Sequence, residues 1–140
     1  MGAQTLLKPG LYGSAAGEDA AVLRGGECAC GAVFFPMQSY GCEVCGRHGE
    51  ALRPRDLAGR GSLIAAAVVH MHQGRPGPGG TPPRQAPFVV GSIALDDGPV
   101  VRTLLDCAEA PDPGTRMTAR LVETPGAEAP LLDLRFAPAA

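Results

Sequence analysis

Four cysteines stand in two short pairs, Cys28 with Cys30 and Cys42 with Cys45, and eleven residues separate the pairs. Thiolates at this spacing suit one tetrahedral metal ion, since each pair can sit on a tight turn while the intervening hairpin brings the turns together. Gly31 and Gly46 each follow the second cysteine of a pair. Glycine there lets the backbone turn with positive φ and aim its N–H groups at sulfur. Four thiolates close the coordination shell. A catalytic metal needs an open position for water, so the expected role is structural. Zinc is the first expectation, and iron is the alternative that sulfur ligands also accept. A redox dithiol would read C-x-x-C beside a βαβ pattern, which the sequence does not show.

The other reactive side chains form no constellation of comparable sharpness. Cys107 follows Asp106 at a strand end, where a nucleophile would want a base beside it. Its expected role is a buried or interface residue. His70 and His72 share one face of a strand by the two-residue alternation. They could form an acid/base or metal pair, or simply flank a loop. Asp96-Asp97 could be paired carboxylates, but the following Gly98-Pro99 marks a turn.

Short strands must position these residues. Glycine (20) and proline (14) punctuate apolar runs in a 140-residue chain that is 45% hydrophobic, and this favours strands and turns over helices. Residues 1–20 are rich in Gly and Ala with no periodicity. They read either as a flexible arm or as an arm whose apolar residues dock on a partner. Ala20–Arg24 reads as a short strand leading into the cysteines. Val33, Phe34 and Phe35 form a strand-like run in a metal-pinned hairpin, a zinc ribbon, too small to fold without its metal. Residues 51–60 read as a bridge because Pro54 disfavours a central strand. Five strands follow: Ser62–Met71, Phe88–Leu95 with a bulge at Gly91, Val100–Leu105, Met117–Glu123 and Leu131–Phe136. Asp96-Asp97-Gly98 joins the second and third as a hairpin. Residues 73–87 form a Pro/Gly-rich loop. Five short strands suggest a small closed barrel of the oligonucleotide/oligosaccharide-binding (OB) type. The expected fold is mainly β, with an arm at 1–24, a zinc ribbon at 25–50 and an OB-fold barrel at 51–140.

Charge narrows the function classes. The net charge is −2, and the 12 basic residues are scattered, with Lys8 the one lysine. That counts against an electrostatic grip on nucleic acid. The sequence has no apolar run long enough to span a membrane and no secretory leader pattern. A cytoplasmic location is expected.

The segments LRGGECACGAVFFP (23–36), GCEVCG (41–46), GRGSLIAAAVVH (59–70), APFVVGSIALDDGPVVRTLLDC (86–107) and LLDLRF (131–136) together resemble the DUF35 family. Its members join a rubredoxin-like zinc ribbon to an OB-fold. The resemblance implies an accessory subunit of a thiolase-superfamily enzyme, in which the partner carries the catalytic Cys and His. The DUF35 chain would stabilise the complex and help form its acyl-CoA site. On that reading the chain lacks catalysis by itself and forms a hetero-oligomer with a thiolase-like acyltransferase or a C–C bond-cleaving enzyme. Arg75 and Arg84 are then the candidates for contact with the CoA phosphates, since arginine clamps phosphate well. Phe34, Phe35 and Tyr40 are candidates for the partner interface. One of the two adjacent Phe rings should pack under the metal site, and the other needs a cover. The chain departs from the family at the first knuckle, which is C-x-C where C-x-x-C is usual. If Cys28 swung away, Glu27 or His48 would be the substitute ligand. The alternative function is a nucleic-acid-binding ribbon/OB module, recognisable by salt-sensitive binding to single strands.

Overall fold

The structure, a computed structural model, describes residues 5–14, 21–71, 74, 77, 87–125 and 128–139. Alternation of small or apolar with polar residues is cleanest in β6 (Phe88–Leu95), where Val89, Gly91, Ile93 and Leu95 are buried and the residues between them are not. β6 pairs antiparallel with β7 (Val100–Leu105) and with β5 (Arg60–Val69). β8 (Arg116–Thr124) and β9 (Leu131–Pro138) complete a closed barrel in the order β5-β6-β7-β9-β8. The closing contact of β7 with β9 is parallel and consists of the one pair Leu105↔Phe136. The five expected barrel strands are present. The bulge, however, falls between Leu63 and Ala65 on β5, not at Gly91. Gly91 keeps regular register. Its missing side chain instead leaves room inside the barrel, where a Cβ would lie 2.9 Å from Leu105 Cδ1 and 3.0 Å from Leu63 Cδ1.

A second sheet carries the cysteines. β2 (Ala21–Cys28) pairs along its whole length with β4 (Leu52–Ala58). Its other edge takes β1 (Tyr12–Ser14) at one end and β3 (Val33–Phe34) at the other. This sheet draws strands from all three segments expected at 1–24, 25–50 and 51–140. The segment read as a bridge is strand β4. Pro54 fits there because β4 is an edge strand, and a missing N–H on an edge costs no ladder bond.

One apolar core joins the sheet to the barrel. Leu23 and Leu57 of the sheet and Ile93, Met117 and Phe136 of the barrel are its most deeply buried large side chains. The chain passes from β4 to β5 through buried Gly59. A Cβ there would come within 2.3 Å of Ala119 Cβ and 2.9 Å of the Ala21 carbonyl oxygen. The β6–β7 turn closes the same junction: Asp97 accepts from the Ala58 N–H at 2.9 Å and from Arg55 at 3.4 Å. Asp96 holds Arg116 of β8 through both carboxylate oxygens. The paired aspartates are therefore turn residues that also bind neighbouring strands. Among the described residues no helix is long and apolar enough to cross a membrane.

The N-terminal segment docks on this chain's own barrel. Leu7 N–H donates to the Leu132 carbonyl at 2.8 Å, and Leu132 N–H donates to the Thr5 carbonyl at 2.9 Å. Both backbone groups of Leu132 are thus turned away from β8, so the segment lies on the edge of β9 that β7 leaves open. Tyr12 is 2% exposed, and its hydroxyl donates to Asp133 Oδ1 at 2.7 Å. Asp133 also binds Arg135, and the two side chains are only 13% and 14% exposed. Burial opposes ionisation of Asp133, but the Tyr12 hydroxyl, the Arg135 guanidinium and the Leu134 N–H outweigh it and hold the carboxyl below its ordinary value. Burial, then the bond to Asp133, push Tyr12 up to about 12.

Two pH limits follow from linkage. The Asp133 contribution is present at neutral pH and is lost as pH falls through its lowered folded pKa. The Tyr12 contribution is complete below the free tyrosine value of about 10 and is lost as pH rises from there towards about 12. Tyr12→Phe should cost about 1–3 kcal/mol. Asp133→Ala, which strands a largely buried guanidinium, should cost about 3–5 kcal/mol. Urea unfolding at neutral and alkaline pH measures both. In Tyr12→Phe the alkaline loss between pH 10 and about 12 should shrink, and an unchanged alkaline limb would disprove the assignment.

Candidate metal centre

β2 ends at Cys28, and β4 begins at Leu52 directly opposite it. The strand pairing therefore holds the first knuckle in place. The Cys28 N–H donates to the Ala32 carbonyl and the Gly31 N–H to the Cys28 carbonyl, each at 2.8 Å, and Gly31 takes φ +98°. The second knuckle is built the same way. Gly46, with φ +81°, donates its N–H to the Cys42 carbonyl at 2.9 Å, and the Val44 N–H approaches Cys42 Sγ at 3.4 Å.

These turns bring Cys28, Cys30, Cys42 and Cys45 together with all four sulfurs within 4.8 Å of one another. The closest approaches cross between the knuckles, Cys28 to Cys45 at 3.5 Å and Cys30 to Cys42 at 3.7 Å. Metal–sulfur bonds of about 2.3 Å in a tetrahedron place sulfurs about 3.8 Å apart. The four cysteines can hold a metal ion. Neither Glu27 nor His48 belongs to the group. Glu27 faces Arg55 at 3.5 Å instead, and His48 caps a short 3-10 turn at Gly49–Ala51. The one-residue-shorter knuckle thus keeps its four sulfurs together, with Gly31 taking the tighter bend.

The sulfurs are electrostatically unequal. Backbone N–H groups of Cys45 and Val44 lower the Cys42 thiol to about 6. The Cys30 N–H also lowers Cys28, but burial and the neighbouring thiols of Cys45, Cys30 and Cys42 outweigh it and push Cys28 up to about 12. A first thiolate makes the next harder to form unless a cation enters.

An apolar floor supports the sulfurs. Cys28, Cys42 and Leu52 are buried together, with Ala32, Phe34 and Met37 packed on them. The Phe34 ring lies over Gly26, where a Cβ would come within 2.4 Å of it. Phe35 packs into the main core. The two rings thus split as the alternation requires, and the cover for the second is internal. Tyr40 differs: it is 85% exposed in the ribbon, as Val44 is at 77%. Gln38 braces the backbone at Tyr40, accepting from the Tyr40 and Gly41 N–H groups and donating to the Gly41 carbonyl. Neither Gln38 nor Gly26 stood out in the sequence. The GG pair at 25–26 was the available signal for close packing.

The remaining candidates do not join the centre. Arg75, Arg84 and His72 lie outside the described residues. His70 is exposed at the end of β5. The Cys107 thiol donates to the Glu109 carbonyl at 3.2 Å and packs on the main core. Burial, then the Asp106 charge, raise its pKa, which is the opposite of nucleophile activation.

Comparison with known proteins places this architecture. Residues 54–122 match the family model described as the ChsH2 C-terminal OB-fold domain. A solved structure described as an Ltp2-ChsH2(DUF35) aldolase superposes with a TM-score of 0.59 at 25% identity, over 85% of this chain and 86% of that one. The chain carries a ChsH2-type OB-fold domain and is similar over most of its length to a DUF35 protein. The matched OB segment starts inside β4 and covers four of the five barrel strands. The other strands of the cysteine sheet lie before it, and the superposition is long enough to include part of them.

Metal analysis of the purified chain should give one ion per chain, held by four cysteines that resist thiol reagents until a chelator is added. Cys30→Ser should lose stoichiometric metal. Gly26→Val, which forces Phe34 off the floor, should lower stability by more than about 2 kcal/mol while leaving the four thiols chemically intact. Full metal retention in Cys30→Ser would refute the four-sulfur site.

Proposed function

We propose that this protein is a non-catalytic accessory subunit of a thiolase-superfamily enzyme. It stabilises the catalytic subunit and helps form the acyl-CoA site. The observation that carries the reading is the likeness, across most of both chains, to the DUF35 component of an assembly described as an aldolase. The metal is Zn2+ in a structural role, because four thiolates fill a tetrahedral shell and leave no position for substrate or water. Reduced thiolates of this kind suit the cytoplasm. Arg75 and Arg84 are the residues we assign to the CoA phosphates, and Tyr40 to the partner contact in the ribbon, where Val44 is also exposed. Phe34 and Phe35 would support that contact from beneath.

The nucleic-acid reading is the weaker one. Arg24, Arg55, Arg116, Arg120 and Arg135 each face an aspartate of this chain. Charges already paired within the protein release few counterions on binding phosphate.

Co-expression with a thiolase-superfamily subunit of the kind found in the matched aldolase assembly tests the proposal. A stoichiometric complex should co-elute in gel filtration, and acyl-CoA turnover should need both chains. A stable monomer that ignores such a chain would defeat it, as would salt-sensitive binding to single-stranded nucleic acid without any complex.

A further inference from the structure

The outer face of β5, β6 and β7 carries fewer polar residues than a solvated sheet face usually does. Inside the barrel β6 presents Val89, Gly91, Ile93 and Leu95, so Phe88, Val90, Ser92 and Ala94 face outward. On β5 the bulge at Ile64 sets the same phase: Ala67 lies opposite Val90 and Ala65 opposite Ser92. On β7 the outward partners of those residues are Leu104 and Arg102. Across these cross-strand rows most outward side chains are apolar. Ile64 is 48% exposed and Val100 is 61% exposed at the margin.

The centre of the face is hollow. Ala65, Ala67, Val90, Ser92 and Arg102 line a trough of ≈ 200 Å³. Alanine is a poor strand former, so consecutive alanines on an exposed strand leave space that packing inside the barrel does not demand. The trough is open and below the size that encloses a cofactor-like molecule, about 300 Å³ or more. It fits the tip of one side chain. Arg102 stands at its rim, exposed, with no ion pair to another described residue. Among the described residues the same face offers no free carboxylate: Asp96, just beyond Leu95, already binds Arg116 through both oxygens. A second copy of this chain would therefore bring Arg102 no countercharge. The complementary surface is an apolar side chain flanked by a carboxylate on a different protein.

We propose that the outer face of β5–β6–β7 is a docking surface for the catalytic partner, which seats an apolar side chain between Ala65 and Ala67 and pairs a carboxylate with Arg102. This rests on the accessory-subunit reading and names the barrel surface that reading leaves open. It adds a second contact, on the barrel, to the one at Tyr40.

The test uses the full-length chain and the purified thiolase-superfamily subunit that it binds in the co-expression experiment above, with affinity measured by calorimetry. Ala67→Glu fills the trough with charge, Arg102→Glu reverses the rim, and Arg53→Glu on the distant exposed face of β4 is the control. Ala67→Glu and Arg102→Glu should each weaken the complex at least tenfold, and Arg53→Glu should leave it unchanged. Arg102→Ala, which only truncates an exposed side chain, keeps the test sharp if Ala67→Glu fails to fold. Unchanged affinity in the Arg102 variants overturns the docking surface while leaving the accessory-subunit reading intact. Absence of any complex with the unaltered chain overturns both. A self-associated dimer that Ala67→Glu disperses makes a second copy the occupant and overturns the proposal.

Discussion

Four sulfur atoms within 4.8 Å of one another cannot all ionise without a cation between them, and they do not pack well as neutral thiols. The rest of the N-terminal sheet depends on that constraint. Cys28 is both a ligand position and the last residue of β2, and β2 is the strand that β1, β3 and β4 all pair with. A metal that fixes Cys28 against Cys45 therefore fixes the end of the central strand. Leu23, five residues earlier on the same strand, is 1% exposed in the core shared with the barrel. The metal centre and the barrel core are two ends of one strand.

Polar contacts hold what the core alone leaves free. An apolar core is non-directional and lets two layers slide, whereas carboxylates bonded to specific N–H groups do not. Asp97 fixes the barrel's hairpin turn to β4, and Asp133 fixes Tyr12 of β1 to β9. Each lies at a seam between the cysteine sheet and the barrel, and each receives more than one donor, so neither charge is left uncompensated. The ribbon is thereby presented at a set angle to the barrel. The two partner surfaces proposed above, at Tyr40 and at Arg102, would need that angle fixed.

The sequence showed the parts whose physics is local. The β6–β7 hairpin was legible because two-residue alternation, Asp96-Asp97 and Gly98 all act within a few residues. The cysteine cluster was legible because ligand spacing is a local property. The parts set by distant contacts were hidden. Pro54 argued against a strand, and only the finding that β4 has one neighbour removes the objection. Tyr12 sits in a Gly/Ala-rich arm with no pattern, and its reason for being ordered, Asp133, lies 121 residues away. Gly91 suggested a bulge because glycine in a strand has two uses, and nothing nearby shows that Leu63 and Leu105 fill its space.

The same division bears on function. The residues that sequence reasoning singled out as chemical are the ones the fold closes: a filled sulfur tetrahedron has no vacancy, and Cys107 is made less acidic by its surroundings. The residues that are open are apolar and sit on strand faces and turns, at Tyr40, Val44, Ile64 and Val100. Exposed apolar side chains cost solubility and gain nothing for an isolated monomer. Exposed at two places, the ribbon and the margin of the barrel face that carries Arg102, they make sense where another protein completes the surface. A closed metal site with open apolar faces is the reverse of an enzyme's arrangement, which opens its metal and buries its apolar side chains. That inversion supports the proposal that the chemistry lies in a partner and that this chain is its scaffold.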